Sequence, residues 1–141
     1  MPGKGDLRPT LQEEALYRTF DMLQLFQNEL INNTTPRISN AVPCAPFRKF
    51  GLYVTALFTG TADTITLHIE VEFLDRWTGQ WYTYKQGLFA ALFYEETDTA
   101  TRIYECFQGD VLGRAMRVKL TGLGVSGANY FDVSIAVDFW N

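Results

Sequence analysis

Histidine, cysteine and clustered positive charge are scarce in this sequence, and each scarcity removes a class of chemistry. His68 is the single histidine, so a multi-histidine metal centre is impossible. The two cysteines, Cys44 and Cys106, lack the C-x-x-C spacing of a zinc knuckle or a thioredoxin-type site. They leave at most one long-range disulfide, and two buried free thiols are expected. Twelve Lys and Arg stand against sixteen Asp and Glu, for a net charge of −4. With no Lys/Arg cluster, a phosphate-backbone binder is disfavoured and nucleic acid is not an expected partner. No apolar run approaches a membrane span, and the opening "MPGKGDLRPT" has no apolar signal core. The expectation is a soluble protein made in a cytoplasm, with no membrane partner. A G-x-S-x-G elbow and a phosphate-cradling glycine loop are absent as well.

What is present is the material of one core. Apolar residues make up 47% of the 141, aromatics 15% and charged residues 20%, which places the chain among globular rather than disordered sequences. A chain of this length buries roughly two-thirds of its unfolded surface in a single domain. Residues 1–20 differ from the rest. After a polar, turn-forming start, "TLQEEALYRTF" reads as a short helix in which Thr10 and Glu13 form a T-x-x-E capping box. Leu11, Ala15 and Leu16 make an apolar stripe, with Tyr17 and Phe20 beside it. So short a helix is marginal alone and must dock, either on its own domain or on a neighbouring subunit. The division expected is therefore an N-terminal arm over 1–20 and a β-sandwich domain over 21–141.

From Asp21 the hydrophobic period is two. "LQLFQNELI" and "RISNAVPC", separated by "NNTTP", read as a first hairpin. Phe50, Leu52, Val54, Ala56 and Phe58 share one face of the next strand. In "TITLHIEVEF" the inward set is Ile65, Leu67, Ile69, Val71 and Phe73, while Thr64, Thr66, His68, Glu70 and Glu72 face away. "QWYTYK", "LFAALFY" and "RIYECF" are further candidate strands, the last ending at a "QGD" turn. "RAMRVKLTG" buries Met116, Val118 and Leu120, and "YFDVSIAVDFW" buries Phe131, Val133, Ile135, Val137 and Phe139. Short strands at regular spacing with glycine-rich turns predict an all-β fold: a single sandwich of jelly-roll or Greek-key type.

Three constellations bear on chemistry. His68, Glu70 and Glu72 project from one strand face at two-residue spacing, loosely as the acidic strand of a jelly-roll glycanase does. A histidine stands where that pattern has its first carboxylate, and alternating charge on a strand more often marks a solvated face. As metal ligands these three would sit roughly 6.6 Å apart and project in parallel, so another strand would have to help. Trp77, Trp81, Tyr82 and Tyr84 would suit a sugar-stacking platform, yet Trp81 and Tyr82 point to opposite faces, so one of them is expected in core or interface. As a hairpin turn, "DRWTGQW" needs only the permissive backbone of Gly79. No catalytic residue, cofactor or metal is expected.

The order of the arm, "FRKFGLYVTAL", "ITLHIEVEFLDRWTGQWYTY", "YECFQGDVLGRAMRVKLTG" and "YFDVSIAVDFW" resembles small β-sandwich virion proteins of tailed bacteriophages, most of all capsid decoration (cement) proteins. The resemblance covers about residues 21–141 as a pattern of strands and turns. It implies a non-enzymatic protein on the capsid surface that clamps neighbouring subunits, its partners being the major capsid protein and copies of itself, often as a trimer. Phage tail and neck proteins use similar sandwiches, and a carbohydrate- or receptor-binding module of a tail or fibre is the other class left open. For the contacts, the arm would contribute Leu11, Leu16, Tyr17 and Phe20, and the domain Trp77, Tyr130 and Trp140. These are outward or turn-placed aromatic and apolar side chains of the kind enriched at interface hot spots.

Overall fold

Strict alternation decides which face of each long strand is buried. A computed structural model describes residues 22–61, 64–96 and 102–141. Over them run β1 (Leu23–Ile31), β2 (Arg37–Ile38), β3 (Val42–Pro43), β4 (Lys49–Thr59), β5 (Ile65–Leu74), β6 (Trp81–Thr83), a 3-10 turn (Gly87–Ala91), β7 (Phe93–Glu96), β8 (Arg102–Asp110), β9 (Ala115–Leu123) and β10 (Tyr130–Trp140). The expected arm and its helix, with Leu11, Leu16, Tyr17 and Phe20, lie outside the described residues.

The strands form two antiparallel sheets. One has the order β1-β10-β4-β8. In the other, β9 and β5 are central; β2 and β3 both pair with β9, and β6 and β7 both pair with β5. Each of those two couples fills one strand position, so both sheets are four positions wide. The first half of the chain pairs with the second in reverse order: β1 with β10, β2 and β3 with β9, β4 with β8, β5 with β6 and β7.

The sheets face each other across one core. Every inward residue anticipated on β4, β5, β9 and β10 is buried, from Phe50 and Ile65 through Met116 to Phe139. Phe50 of the first sheet meets Phe73 of the second edge-on at 5.7 Å between ring centroids, and Tyr84 and Phe89 close the same aromatic cluster. Gly109 of β8 leaves room for it: a Cβ there would stand 2.6 Å from the Phe50 ring.

Three local expectations fail for physical reasons. "LQLFQNELI" and "RISNAVPC" do not form a hairpin, because β1 lies in the first sheet and β2 and β3 in the second. The "NNTTP" link crosses between sheets instead. Arg37 ties it down, with Nη2 donating to the Leu30 carbonyl at 2.9 Å and Nε 3.3 Å from Glu29. "LFAALFY" is not one strand: Gly87 takes φ +57 and opens the 3-10 turn, whose Phe89 is buried against Phe107. The "QGD" turn is strand as well. β8 runs on to Asp110, where Lys49 of β4 sits 2.5 Å from the carboxylate, and the chain turns only afterwards.

Candidate functional site

With the core shared, the two outer sheet faces are what the domain presents. On the second sheet, β5 and β9 set Glu72 opposite Arg117, Glu70 opposite Lys119 and His68 opposite Thr121. Arg117 Nε donates to Glu72 Oε1 at 2.7 Å, and its guanidinium lies 4.1 Å from the centroid of the Trp81 ring. Lys119 stands 3.7 Å from Glu70. Both carboxylates that a glycanase reading would need are thus paired with cations from the neighbouring strand, in a ladder of the kind that stabilises sheets. Arg117 covers one face of the Trp81 ring. Among the described residues, no three His, Cys, Asp or Glu side chains converge as a metal site requires.

The first sheet's outer face is different in kind. Its middle carries Tyr53 and Thr55 from β4, Ser134 and Ala136 from β10, and Tyr104 and Cys106 from β8, none of them acidic or basic. A shallow depression of about 290 Å³ lies there between Tyr53, Thr55, Tyr104, Glu105 and Cys106. Next to it, Asp138 stands over Gly51 beside Tyr53 and Trp140. The Tyr53 hydroxyl donates to Asp138 Oδ2 at 3.3 Å, while Asp138 Oδ1 is shielded from water with no hydrogen-bond partner. Burial pushes the Asp138 carboxyl above its usual range, against the hydrogen bond from Tyr53 and backbone donors. Burial, then the Asp138 charge, pushes the Tyr53 phenol up too.

The predicted contact residues are not gathered into one patch. Trp77 is 89% exposed in the turn between β5 and β6. Asp75 pins that turn, its Oδ2 accepting from the Thr78 backbone N–H and hydroxyl at 2.6 Å each, and Gly79 takes φ +77. Those bonds from Thr78 hold the Asp75 carboxyl below its ordinary range. Tyr130 and Trp140 are half-buried at opposite ends of β10, roughly 34 Å apart at strand rise. Trp140 shares its end of the sandwich with Trp77. The link from β8 to β9 starts beside Lys49, the partner of Trp140, and returns through Arg114 N–H to the Leu74 carbonyl. Neither Trp81 nor Tyr82 enters the core; Tyr82 is 59% exposed, and Tyr84 is the buried member of that hairpin. Four exposed or outward side chains went unpicked in the sequence: Tyr53, Tyr104, Leu88 and Cys106. The alternation of "LYVTAL" and "RIYECF" places Tyr53, Tyr104 and Cys106 outward, so three of them were legible. Cys106 corrects the expectation of two buried thiols: both are free, but only Cys44 is buried.

No protein-family model matches the chain, and neither does any curated protein. Among solved structures, a chain in the structure of infectious bursal disease virus, Gx strain, superposes with TM-score 0.54 at 11% identity. The match covers 83% of this chain and 31% of that one. A chain of dimeric latent PorU from Porphyromonas gingivalis gives TM-score 0.49 at 9% identity over 86% of this chain and 13% of that one, too low for a fold argument. The present chain thus spans about a third of the viral chain it matches, and what it shares with it is the fold: two facing antiparallel sheets.

Proposed function

We propose that this is a structural protein of a virion, a decoration or cement protein on the capsid surface of a tailed bacteriophage. It holds no catalytic site and binds the major capsid protein and copies of itself. The observation that carries this reading is the strand order. With β2 and β3 in one position and β6 and β7 in another, eight positions pair first with last throughout and every link except β2–β3 and those within β5–β6–β7 changes sheet, which is jelly-roll connectivity, an architecture of viral capsid domains. The likeness to a chain of a virus structure points the same way. A rigid double sheet whose charged face is internally paired, and whose other face carries uncharged aromatic and small side chains at its middle, suits contact with a protein surface better than turnover of a small substrate.

The test is co-sedimentation of the purified chain with assembled phage capsids. Saturable binding that Tyr53→Ala and Trp140→Ala weaken in variants still folded at the assay temperature is the expected result; no binding to capsids, at any stage of their maturation, overturns it. One observation favours a second reading. Trp77 is nearly fully exposed on a pinned turn, as a glycan-stacking residue of a receptor-binding module would be. Glycan binding lost in Trp77→Ala, without capsid binding, would establish that class instead.

A further inference from the structure

Of the strands that end a sheet, β8 stands apart. β2 and β3 have two residues each, β6 three and β7 four. β1 is interrupted by register shifts on both sides of Phe26, with Asn28 at φ 52. Short and bulged strands are how sheet edges are kept from pairing with other chains. β8 has neither protection. Its nine residues pair with β4 without a shift from Arg102 to Asp110, and among the described residues no strand lies on its other side.

The direction of its free backbone groups can be read from one end. Asp110 N–H turns away from β4 to the Tyr84 hydroxyl at 3.0 Å, whereas the next N–H, that of Val111, turns back to the Arg48 carbonyl at 2.8 Å. Alternation along a strand then aims the N–H and C=O groups of Arg102, Tyr104, Cys106 and Gln108 away from the sheet. Grooves of about 420 and 530 Å³ run beside this edge, with Leu88 69% exposed on their rim.

We propose that β8 pairs antiparallel with β8 of a second copy, so that two first sheets become one continuous sheet about a twofold axis at Cys106. The register that overlaps all nine residues sets Cys106 against its own copy, Tyr104 against Gln108, and Arg102 against Asp110 at both ends. In that register the outward backbone groups of Tyr104, Cys106 and Gln108 of the two strands meet, the Asp110 N–H keeps the Tyr84 hydroxyl, and the opposed ends carry opposite charge. Sliding by one position onto Glu105 would set that carboxylate against itself. The strand is thus self-complementary in length, hydrogen bonding and charge, as an isologous contact requires. This inference is independent of the virion reading: capsid binding and β8 pairing can each fail with the other intact.

Sedimentation of the full chain over a range of concentrations, with mild oxidation alongside, tests it. A hydrogen-bonded antiparallel cysteine pair has its Cα atoms about 5.5 Å apart, within disulfide reach, so oxidation should link the copies through Cys106. Gln108→Pro removes an N–H that makes no bond to β4 and places a ring in the partner's path. Arg102→Glu sets like charges against Asp110. The expected result is a wild-type dimer and at least about a tenfold weaker self-association, near 1.4 kcal/mol, in both variants at unchanged unfolding midpoint. Should Gln108→Pro fail to fold, Arg102→Glu gives the same reading. A monomeric wild type, a dimer indifferent to Arg102→Glu, or slow amide exchange at Tyr104, Cys106 and Gln108 in a monomer overturns the proposal, the last by showing that the chain covers its own edge.

Discussion

At position 138 an aspartate takes an outward slot of β10 and loses much of its water to Trp140, Tyr53 and the backbone of Gly51. Its raised pKa has a definite consequence for stability. The native carboxyl holds its proton at higher pH than the unfolded one, so over the window just above the ordinary Asp range the native state binds more protons. Unfolding free energy then falls as pH rises through that window. Asp138→Asn removes this slope, and its stability relative to wild type should rise with pH across weakly acid conditions, as read by urea unfolding at stepped pH; a flat or falling difference refutes the burial argument. The thiols offer a second check at this scale. Burial pushes the Cys44 thiol up to about 11, partly offset by Arg76, so at neutral pH it is both protonated and enclosed. A thiol-reactive dye should label one site quickly in the native protein, and Cys106→Ser should abolish that fast phase while leaving the slow one.

Among the elements, β5 shows how one strand serves two surfaces. Its odd positions from Ile65 to Phe73 fill the core, and Glu70 and Glu72 among its even positions build the ion-pair ladder with β9. The two pairs of that ladder differ in burial: the Glu72 side chain is 12% exposed and that of Glu70 36%. Glu72→Gln leaves the Arg117 guanidinium under Trp81 without its carboxylate and should cost about 1–3 kcal/mol. Glu70→Gln should cost at most about 0.5 kcal/mol. Chemical denaturation of the two variants measures the contrast, and neither change should affect capsid binding under the function proposed. The inward and outward sets of β4, β5, β9 and β10 were readable because a half-buried strand writes its faces as alternation. What stayed hidden were features set by partners far along the chain. Two-residue β2 and β3 are strands only because β9 lies beside them, and Phe89 breaks the expected strand because the rings of Phe50, Tyr84 and Phe107 receive it.

For the whole molecule, the core of the described residues runs from Phe26 of β1 to Phe139 of β10 and draws on both sheets. Deleting residues 1–20 should therefore leave thermal unfolding of the domain nearly unchanged. If the deleted segment reaches a neighbour, as proposed for a cement protein, its loss removes a second, effectively intramolecular contact and should weaken capsid binding by about 10²-fold or more. A truncated chain that unfolds early, or that binds capsids as well as the full one, contradicts this assignment.

The sequence by itself determined the all-β class and the core faces of the long strands, because each depends on periodicity. The tertiary structure alone decided which strands share a sheet, that Glu70 and Glu72 are neutralised by β9, and that, among the described residues, β8 ends its sheet with no strand beside it. Those facts depend on pairings between residues at opposite ends of the described chain, such as Leu23 with Val137, and alternation within one strand fixes which face is buried without naming the strand that will lie beside it.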